Sequence, residues 1–600
     1  MPYCIHGCKT WQQDSDRDPH RDPPGLGYHS SVRNLELAEL FHEAADLLEI
    51  REDNVFRVRA YRRAAQQLEN LGEDVVEALD AGRKVPGIGA DLAAKIREYA
   101  GTGAIAYLEE LRKELPRGVR QLLGLQGVGP KTAKLFYREL GIDSVDRLEA
   151  ACRSGRILEV PGIKQKTAEN ILRGIETWKL GQARMPLGRA MALAEALVRA
   201  LREEPAVRAI EVAGSLRRRA ETIGDLDILV TSDRPAAVLE RFVRLPQVAS
   251  VLAHGETKAS VRHREQVQVD LRVVEPAAFG AALQYFTGSK HHNVKLRELA
   301  VRKKLKISEY GVFDARGRRV AGATEEEVYA AVGLPFIPPE LREDTGEIEA
   351  ALGGRLPALV EVGHIRGDLH AHTDWSDGHY PLEALVAAAE ARGYEYILVS
   401  DHSRSATIAR GLTPDQVREQ IKQIRALQRR HRIRILAGSE CDILADGAMD
   451  FPDDVLKELD VVLAAVHSRF KQPGPEMTAR ICRALENPHV RILVHPTGRL
   501  LGSREPYDVD LEQVFATAKR LDKAVEINGS PHRLDLRDVH ARRARELGLR
   551  LSIDTDAHSL TDLDHMALGV ATARRAWIGP AHVVNALPLP KLLAWARAGR

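Results

Sequence analysis

Two sets of residues in this 600-residue chain have types and spacings suited to divalent cations, and they imply different ions. In GSLRRRAETIGDLDILV, Asp225 and Asp227 stand two apart in an apolar run. In a strand both carboxylates therefore leave one face while Leu226 and Ile228 enter the core. VQVDLRVV adds Asp270, which shares a face with Gln268 and Arg272 opposite a buried row of Val267, Val269, Leu271 and Val273. Three convergent carboxylates suit two Mg²⁺ or Mn²⁺ ions, hard cations that take oxygen ligands, and such a pair stabilises the attacking and leaving oxygens of phosphoryl transfer. The second set is mixed. Fourteen of the 22 histidines follow residue 361. His370, His372, Asp401, His402, Glu440, His467, His495, Asp556 and His558 lie in GDLHAHTDWSDG, SDH, GSE, AVH, LVHP and DTDAH, mostly where an apolar run ends. Imidazole mixed with carboxylate favours Mn²⁺, Zn²⁺ or Fe²⁺, and nine ligands are enough for two or three ions that supply hydroxide to attack a phosphodiester.

The elements that must position these residues change in kind along the chain. From Val32 to about Leu115 the apolar spacing is helical, as in LAELFHEAADLLEI, where Leu37, Leu40, Phe41 and Ala44 share a stripe. One pattern recurs there and just beyond: VPGIGADLAAKI, LQGVGPKTAKLF and VPGIKQKTAENI, with Gly87, Gly127 and Gly162 in matching places. Glycine lets backbone approach a ligand, and the helix start that follows offers free N–H groups to an anion. Gly87, Gly89, Gly127, Gly129 and Lys131 are therefore expected on a nucleic-acid backbone; Lys164 replaces the second glycine of the third copy. From about Ile210 the period becomes two, which reads as α+β. After about Glu361 short β runs (YILVS, IRILAG, VVLAAV, RILVHP, AVEING, RLSID) alternate with helices, the pattern of a barrel whose strand ends gather catalytic residues at one mouth.

Bulk properties set the limits. The hydrophobic content of 44% is ample for several cores, and no apolar run is long enough to span a bilayer. Five scattered cysteines fit a reducing compartment rather than a disulfide framework; Cys4, His6 and Cys8 lack a fourth zinc ligand. With no apolar signal core at the N-terminus, a cytoplasmic location is expected. The net charge of +2 says little, but Lys290 to Lys306 carries seven Lys or Arg against one acid, Glu298, a run that suits either a solvated helix face or phosphate contact.

The GS-x-RR-x-AE-x-x-GDLD motif, the third aspartate, and YFTGS followed by an asparagine and an arginine resemble a family X DNA polymerase from about residue 33 to 340. The resemblance implies that Asp225, Asp227 and Asp270 are catalytic and that Ser215 and Arg218 hold the triphosphate, with Gly214 and Gly224 in tight turns. It makes Tyr285, Phe286 and Gly288 the nucleotide-pocket wall, and Asn293 and Arg297 minor-groove contacts. Gln268 departs from the vertebrate pattern, which has arginine there. The N-terminal part resembles the family's deoxyribose-phosphate lyase domain, with Lys95 as the Schiff-base lysine and Arg57 and Tyr61 as its neighbours. Asp91 stands where vertebrate members have a lysine, and a carboxylate one turn from an amine lowers its nucleophilicity.

The histidine-rich part is similar to a polymerase and histidinol phosphatase (PHP) domain, and the resemblance maps its metal motifs onto His370, His372, Asp377, His402, Glu440, His467, His495, Asp556 and His558; Asp374, His379, Asp401, His532 and Asp554 are left outside that set. In this order the parts resemble the bacterial PolX family. The expected fold is multidomain: an α-helical helix-hairpin-helix N-terminal part, an α+β nucleotidyltransferase polymerase core and a C-terminal distorted (β/α)7-type PHP barrel. The expected boundaries are 1–32, a disordered tail or misassigned start; 33–115, lyase-like; 116–184, helix-hairpin-helix; 185–280, palm; 281–334, nucleotide-binding; 335–361, a linker; and 362–600, PHP. The resemblance implies gap-filling synthesis in base-excision repair with a metal-dependent 3′-5′ exonuclease, and activity at abasic sites as an addition. Expected partners are gapped or primed DNA and deoxynucleoside triphosphates, with no membrane, and the chain is expected to be a monomer. The alternative is a DNA-clamping scaffold fused to a small-molecule phosphatase.

Overall fold

A computed structural model describes residues 30–600 apart from 71–74, 86, 103, 124, 126–127, 183, 502–503 and 599–600. The expectations for residues 1–29 and for Gly127 lie outside the described residues. The chain divides into two compact units, Met1–Leu172 and Arg173–Arg600. Among the described residues no helix is long and apolar enough to cross a membrane.

The first unit is helical where the apolar stripe requires it. Leu37, Phe41, Ala44 and Leu48 of the Ser30–Ile50 helix are buried against Tyr61, Ala64 and Leu68 of Val55–Asn70, with Phe41 edge-on to Tyr61 at 5.4 Å. Helices Ala90–Thr102 and Ala106–Glu114 close this core through Leu92, Ile96, Leu108 and Leu111.

In the second unit the period-two segments form a five-stranded sheet in the order Ala209–Val212, Asp225–Thr231, Gln268–Val274, Lys258–His263, Val248–His254, with only the second and third strands parallel. Leu226, Ile228, Val269 and Leu271 are fully buried against helices Leu187–Arg202 and Pro235–Val243. Helices Phe279–Thr287 and Lys290–Arg302 and a three-stranded antiparallel sheet follow.

The proline-rich stretch expected as a linker is instead packed. Ile337, Leu341 and Ile348 enter the core of this region, and the buried Arg342 guanidinium donates to Glu325 at 2.6 Å and lies over the Tyr329 and Phe336 rings. A buried charge needs such a partner, and sequence spacing alone does not show that one is waiting 17 residues earlier.

The C-terminal part is a seven-stranded parallel sheet in strict chain order, from Gly367–Asp368 to Arg550–Asp554. It is nearly closed: Ala371 bridges Ala557, and the His372 amide donates to the Ala557 carbonyl at 2.8 Å. The strands are mostly apolar because both faces are covered, with Glu440, Asp442 and Glu526 as acids among them. Alternate residues such as Leu398, Leu436 and Leu463 fill the interior with Leu592 and Trp595 of the last helix, while Ile397, Val399 and Ile435 face the outer helices.

Candidate active sites

Parallel pairing sets Asp227 beside Asp270 and Asp225 beside Gln268, so the three expected carboxylates share the sheet face opposite the helices. Their environments differ. Burial first, then Asp225 and Asp270, push Asp227 up to about 7, and burial and Asp270 also raise Asp225. Burial would raise Asp270 too, but hydrogen bonds from Ser260, Lys258 and Gln268 outweigh it and hold this carboxyl below its ordinary value. Lys258 Nζ lies 3.0 Å and Gln268 Nε2 3.1 Å from it. Two aspartates forced together short of positive charge fit divalent cations, whose binding would remove that repulsion. Sequence reading missed Lys258; its signal was the parity it shares with Ser260, which pairs with Asp270 in the antiparallel register.

Around the triad, Gly214 takes the left-handed region at φ 62°, where a side chain would collide with the Asp227 carboxylate, and Ser215 follows in the first turn of Gly214–Arg217. Gly224, the last residue before the Asp225 strand, is backed by the Arg184 guanidinium. Arg218 donates from Nη1 to the Thr287 carbonyl at 2.5 Å and from Nε to Glu343 at 3.0 Å. Gly288, at φ 70°, keeps the turn beneath that guanidinium clear. The Tyr285 and Phe286 rings meet edge-on at 5.1 Å, with the Arg272 guanidinium over Phe286. Asn293 is turned inward, donating to the Tyr285 carbonyl at 2.7 Å and accepting from Gln284, and Arg297 Nε donates to the Asn293 carbonyl. The basic run is divided as well: Lys295 points in at Asp344 and Glu349.

The barrel gathers its ligands far more tightly. His370 and His372 follow the first strand, His402 the second, Glu440 lies on the third, His467 and His495 follow the fourth and fifth, and Asp556 and His558 the seventh. Glu440 is at the centre, with ring nitrogens of His495 at 2.6 Å, His402 at 3.0 Å, His467 at 3.2 Å, His370 at 3.4 Å and His372 at 3.6 Å. Among the described residues three groups have ligand atoms within 4.8 Å of one another: His372, Asp377, His402 and His558; His370, His372, Glu440 and Asp556; and His402, Glu440 and His467. His495 belongs to none of them, although it touches Glu440.

The chemistry of these atoms fits metal ions. His370 Nε2, His372 Nδ1 and Nε2, His402 Nδ1 and Glu440 Oε2 are buried and crowd together without an aligned hydrogen bond. Orphaned groups of this kind are costly unless a ligand satisfies them. The charges are polarised to match. Burial would lower His370 and His402, but their carboxylate neighbours lift both well above the imidazole range, and Glu440 and Asp556 are held well below the carboxylate range despite burial. His558 rises to about 9 beside Asp377 and Asp556, also against burial, while burial and two neighbouring histidines bring His372 down to about 4. Burial and Arg533 take His495 down to about 3.

Three further groups escaped sequence reading. Glu526 binds His370 Nδ1 at 2.7 Å and Asp442 binds His467 Nδ1 at 2.6 Å, contacts that fix ring orientation in metal sites. Arg533 Nε lies 3.2 Å from Asp556. A lone acid in the apolar AVEIN strand was the available signal for Glu526. Asp401, left outside the ligand set, accepts from Thr373, Ser376 and Gln420 and braces the loop carrying Asp377. The cluster opens into a cavity of about 900 Å³ lined by Asp377, His402, His467, Arg533, Asp556 and His558, large enough for a nucleotide.

In the first unit, Gly87 and Gly162 are left-handed at φ 81° and 85°, so the third repeat keeps its turn although it lost its second glycine. Gly89 and Gly129 start the helices Ala90–Thr102 and Pro130–Leu140, with Lys131 exposed in the first turn. Lys95 Nζ contacts Asp91 at 2.5 Å and lies 5.1 Å from the Tyr107 ring; burial and Asp91 push the neighbouring Tyr61 phenol upward.

A carboxylate triad on a mixed sheet and a mixed-ligand cluster in a parallel barrel define a protein with two phosphotransfer centres. Residues 282–343 match the DNA polymerase beta thumb, 32–105 a helix-hairpin-helix domain, 119–177 a SAM-like helix-hairpin-helix tandem and 368–520 the PHP domain. The DNA polymerase/3′-5′ exonuclease PolX of Bacillus subtilis (strain 168) is 39% identical over 570 residues, 94% of this chain and 100% of that protein. DNA polymerase lambda of Rattus norvegicus is 26% identical over 52% of the chain and 56% of its own length, and a probable phosphatase of Thermoanaerobacter sp. (strain X514) is 28% identical over 36% of the chain and 89% of its own length. The chain belongs to the PolX family of DNA polymerase/3′-5′ exonucleases, family X polymerases carrying a PHP domain.

Proposed function

We propose that this chain fills gaps in DNA during base-excision repair and removes nucleotides from 3′ ends at a separate centre, acting in the cytoplasm, in keeping with its scattered cysteines. Asp225, Asp227 and Asp270 would hold Mg²⁺ or Mn²⁺, and the nine barrel residues two or three Mn²⁺, Zn²⁺ or Fe²⁺ ions. Bound ions supply charge neutralisation for phosphoryl transfer at the first centre and polarise water at the second. The chain's own residues do the rest. Arg218 and Ser215 bind the triphosphate, Tyr285 and Phe286 wall the sugar, and the glycine turns with Lys131 grip the backbone. In the barrel, Glu526 and Asp442 orient His370 and His467, and Arg533 presents a buried Nη1 without a partner. The same barrel is proposed to cleave at abasic sites.

One observation carries this reading: orphaned ligand atoms surround Glu440 beside a nucleotide-sized cavity. The test uses end-labelled gapped DNA with and without nucleotides, across Mg²⁺, Mn²⁺ and Zn²⁺. The expected result is extension with nucleotides and stepwise shortening without them, with different metal preferences. Hydrolysis of phosphomonoesters but not of 3′-ended DNA would assign the barrel to small-molecule phosphatase chemistry instead.

A further inference from the structure

Arg218 has little of its guanidinium to spare. Nη1 is on the Thr287 carbonyl and Nε on Glu343, and the pair is only partly exposed, with side-chain exposures of 15% and 25%. A triphosphate arriving at Arg218 meets a group of its own charge on the donors it would use, and two anions on one half-buried guanidinium repel. Glu343 has somewhere else to go. Its Oε1 also accepts from Arg575 Nη1 at 2.8 Å. Arg575 ends the Met566–Arg575 helix of the PHP barrel, is held by Asp538 at 2.8 Å, and donates to the Arg218 main-chain carbonyl at 2.9 Å, 357 residues away in sequence. A carboxylate shared by two arginines can release one without being left bare.

We propose that Glu343 is a displaceable occupant of the triphosphate seat at Arg218, and that Arg575 of the PHP barrel is the positioning residue that receives it, so that the barrel sets nucleotide affinity in the polymerase. The proposal rests on Arg218 being a triphosphate contact. Glu343 competes with the nucleotide, and Arg575 weakens the competitor.

The test is single-nucleotide insertion by the full-length chain on gapped DNA with Mg²⁺. Glu343→Gln should lower the nucleotide KM about tenfold, one charge-assisted hydrogen bond's worth, with kcat within about twofold. Arg575→Ala should raise KM by a similar factor, Arg575→Lys should restore part of it, and Arg575→Ala should change nothing in the Glu343→Gln background. A mere tie between polymerase and barrel predicts the same sign for both variants and no such dependence. The proposal falls if Glu343→Gln raises KM or leaves it unchanged while Arg218→Ala raises it. If Arg218→Ala itself leaves KM unchanged, the underlying reading of Arg218 fails instead. Should Arg575→Ala not fold, Glu343→Gln alone decides.

Discussion

Glu440 is buried among five imidazoles, whereas Asp227 faces two other carboxylates. Ligand atoms in the barrel stand in three tight groups; among the described residues the aspartate triad forms none, and Asp270 is engaged by Lys258 and Gln268. The barrel site is built in advance of its ions, and its rings are held by carboxylates behind them. On the proposed function the triad would be a half-site, completed by divalent ions together with substrate phosphates. Pre-organised ligand atoms are thus a feature of the barrel centre.

The sharpest way to break this contrast is to disable each centre in turn. Asp227→Ala should lower primer extension on the order of 10³-fold or more while sparing 3′-terminal removal, and His370→Ala with His372→Ala should do the reverse, each loss corresponding to several kcal/mol of charge stabilisation. Loss of both activities from one variant in folded protein would end the idea of separate centres. A smaller effect probes the support behind the rings. Glu526→Gln leaves His370 in place but removes its anionic partner, and should weaken metal activation of terminal removal by about 10–100-fold in a metal titration. Extension should be unchanged.

On the triad side, Lys258→Ala removes a cation that helps keep Asp270 ionised. The acid limb of the extension–pH profile should move to higher pH, with a loss of roughly severalfold at about pH 6 and little at about pH 8. An unmoved limb would show that Asp270 is set by Ser260 and Gln268 alone. The smallest effect is on stability. Asp227 is raised in the folded chain to about 7, so its ionisation opposes folding: the penalty is absent below about pH 4, grows as pH rises, and is complete above 7. Without divalent ions, Asp227→Asn should therefore raise the Tm of the Arg173–Arg600 unit by a few degrees at about pH 8, on the order of 1 kcal/mol, and not at about pH 4. Mg²⁺ should shrink the difference.

Much of this was legible in the residues. The parity of Asp225, Asp227 and Asp270 follows from strand period, and the β/α alternation places His402, His467 and His495 after strands because both patterns are local. In the segment 335–361 prolines and acids read as a connector, and only the fold shows Arg342 seated against Glu325. Asn293 has the right spacing to Arg297 for one helix face, yet its amide is spent on Gln284 and Tyr285. Spacing along a helix says which residues are neighbours, not which way a side chain resolves its hydrogen bonds.

Sequence alone determined the chemistry on offer: oxygen donors in one centre, nitrogen and oxygen donors in the other, and glycine turns that leave backbone open to approach. Side-chain type and short-range periodicity carry that information. Only the tertiary structure decided who partners whom. His370 meets Glu526 across 156 residues, Asp270 meets Lys258 through an antiparallel register, and Arg575 meets Arg218 across 357. Such pairings depend on register, barrel closure and the packing of one domain on another, and these are set by the summed burial of many residues rather than by any motif.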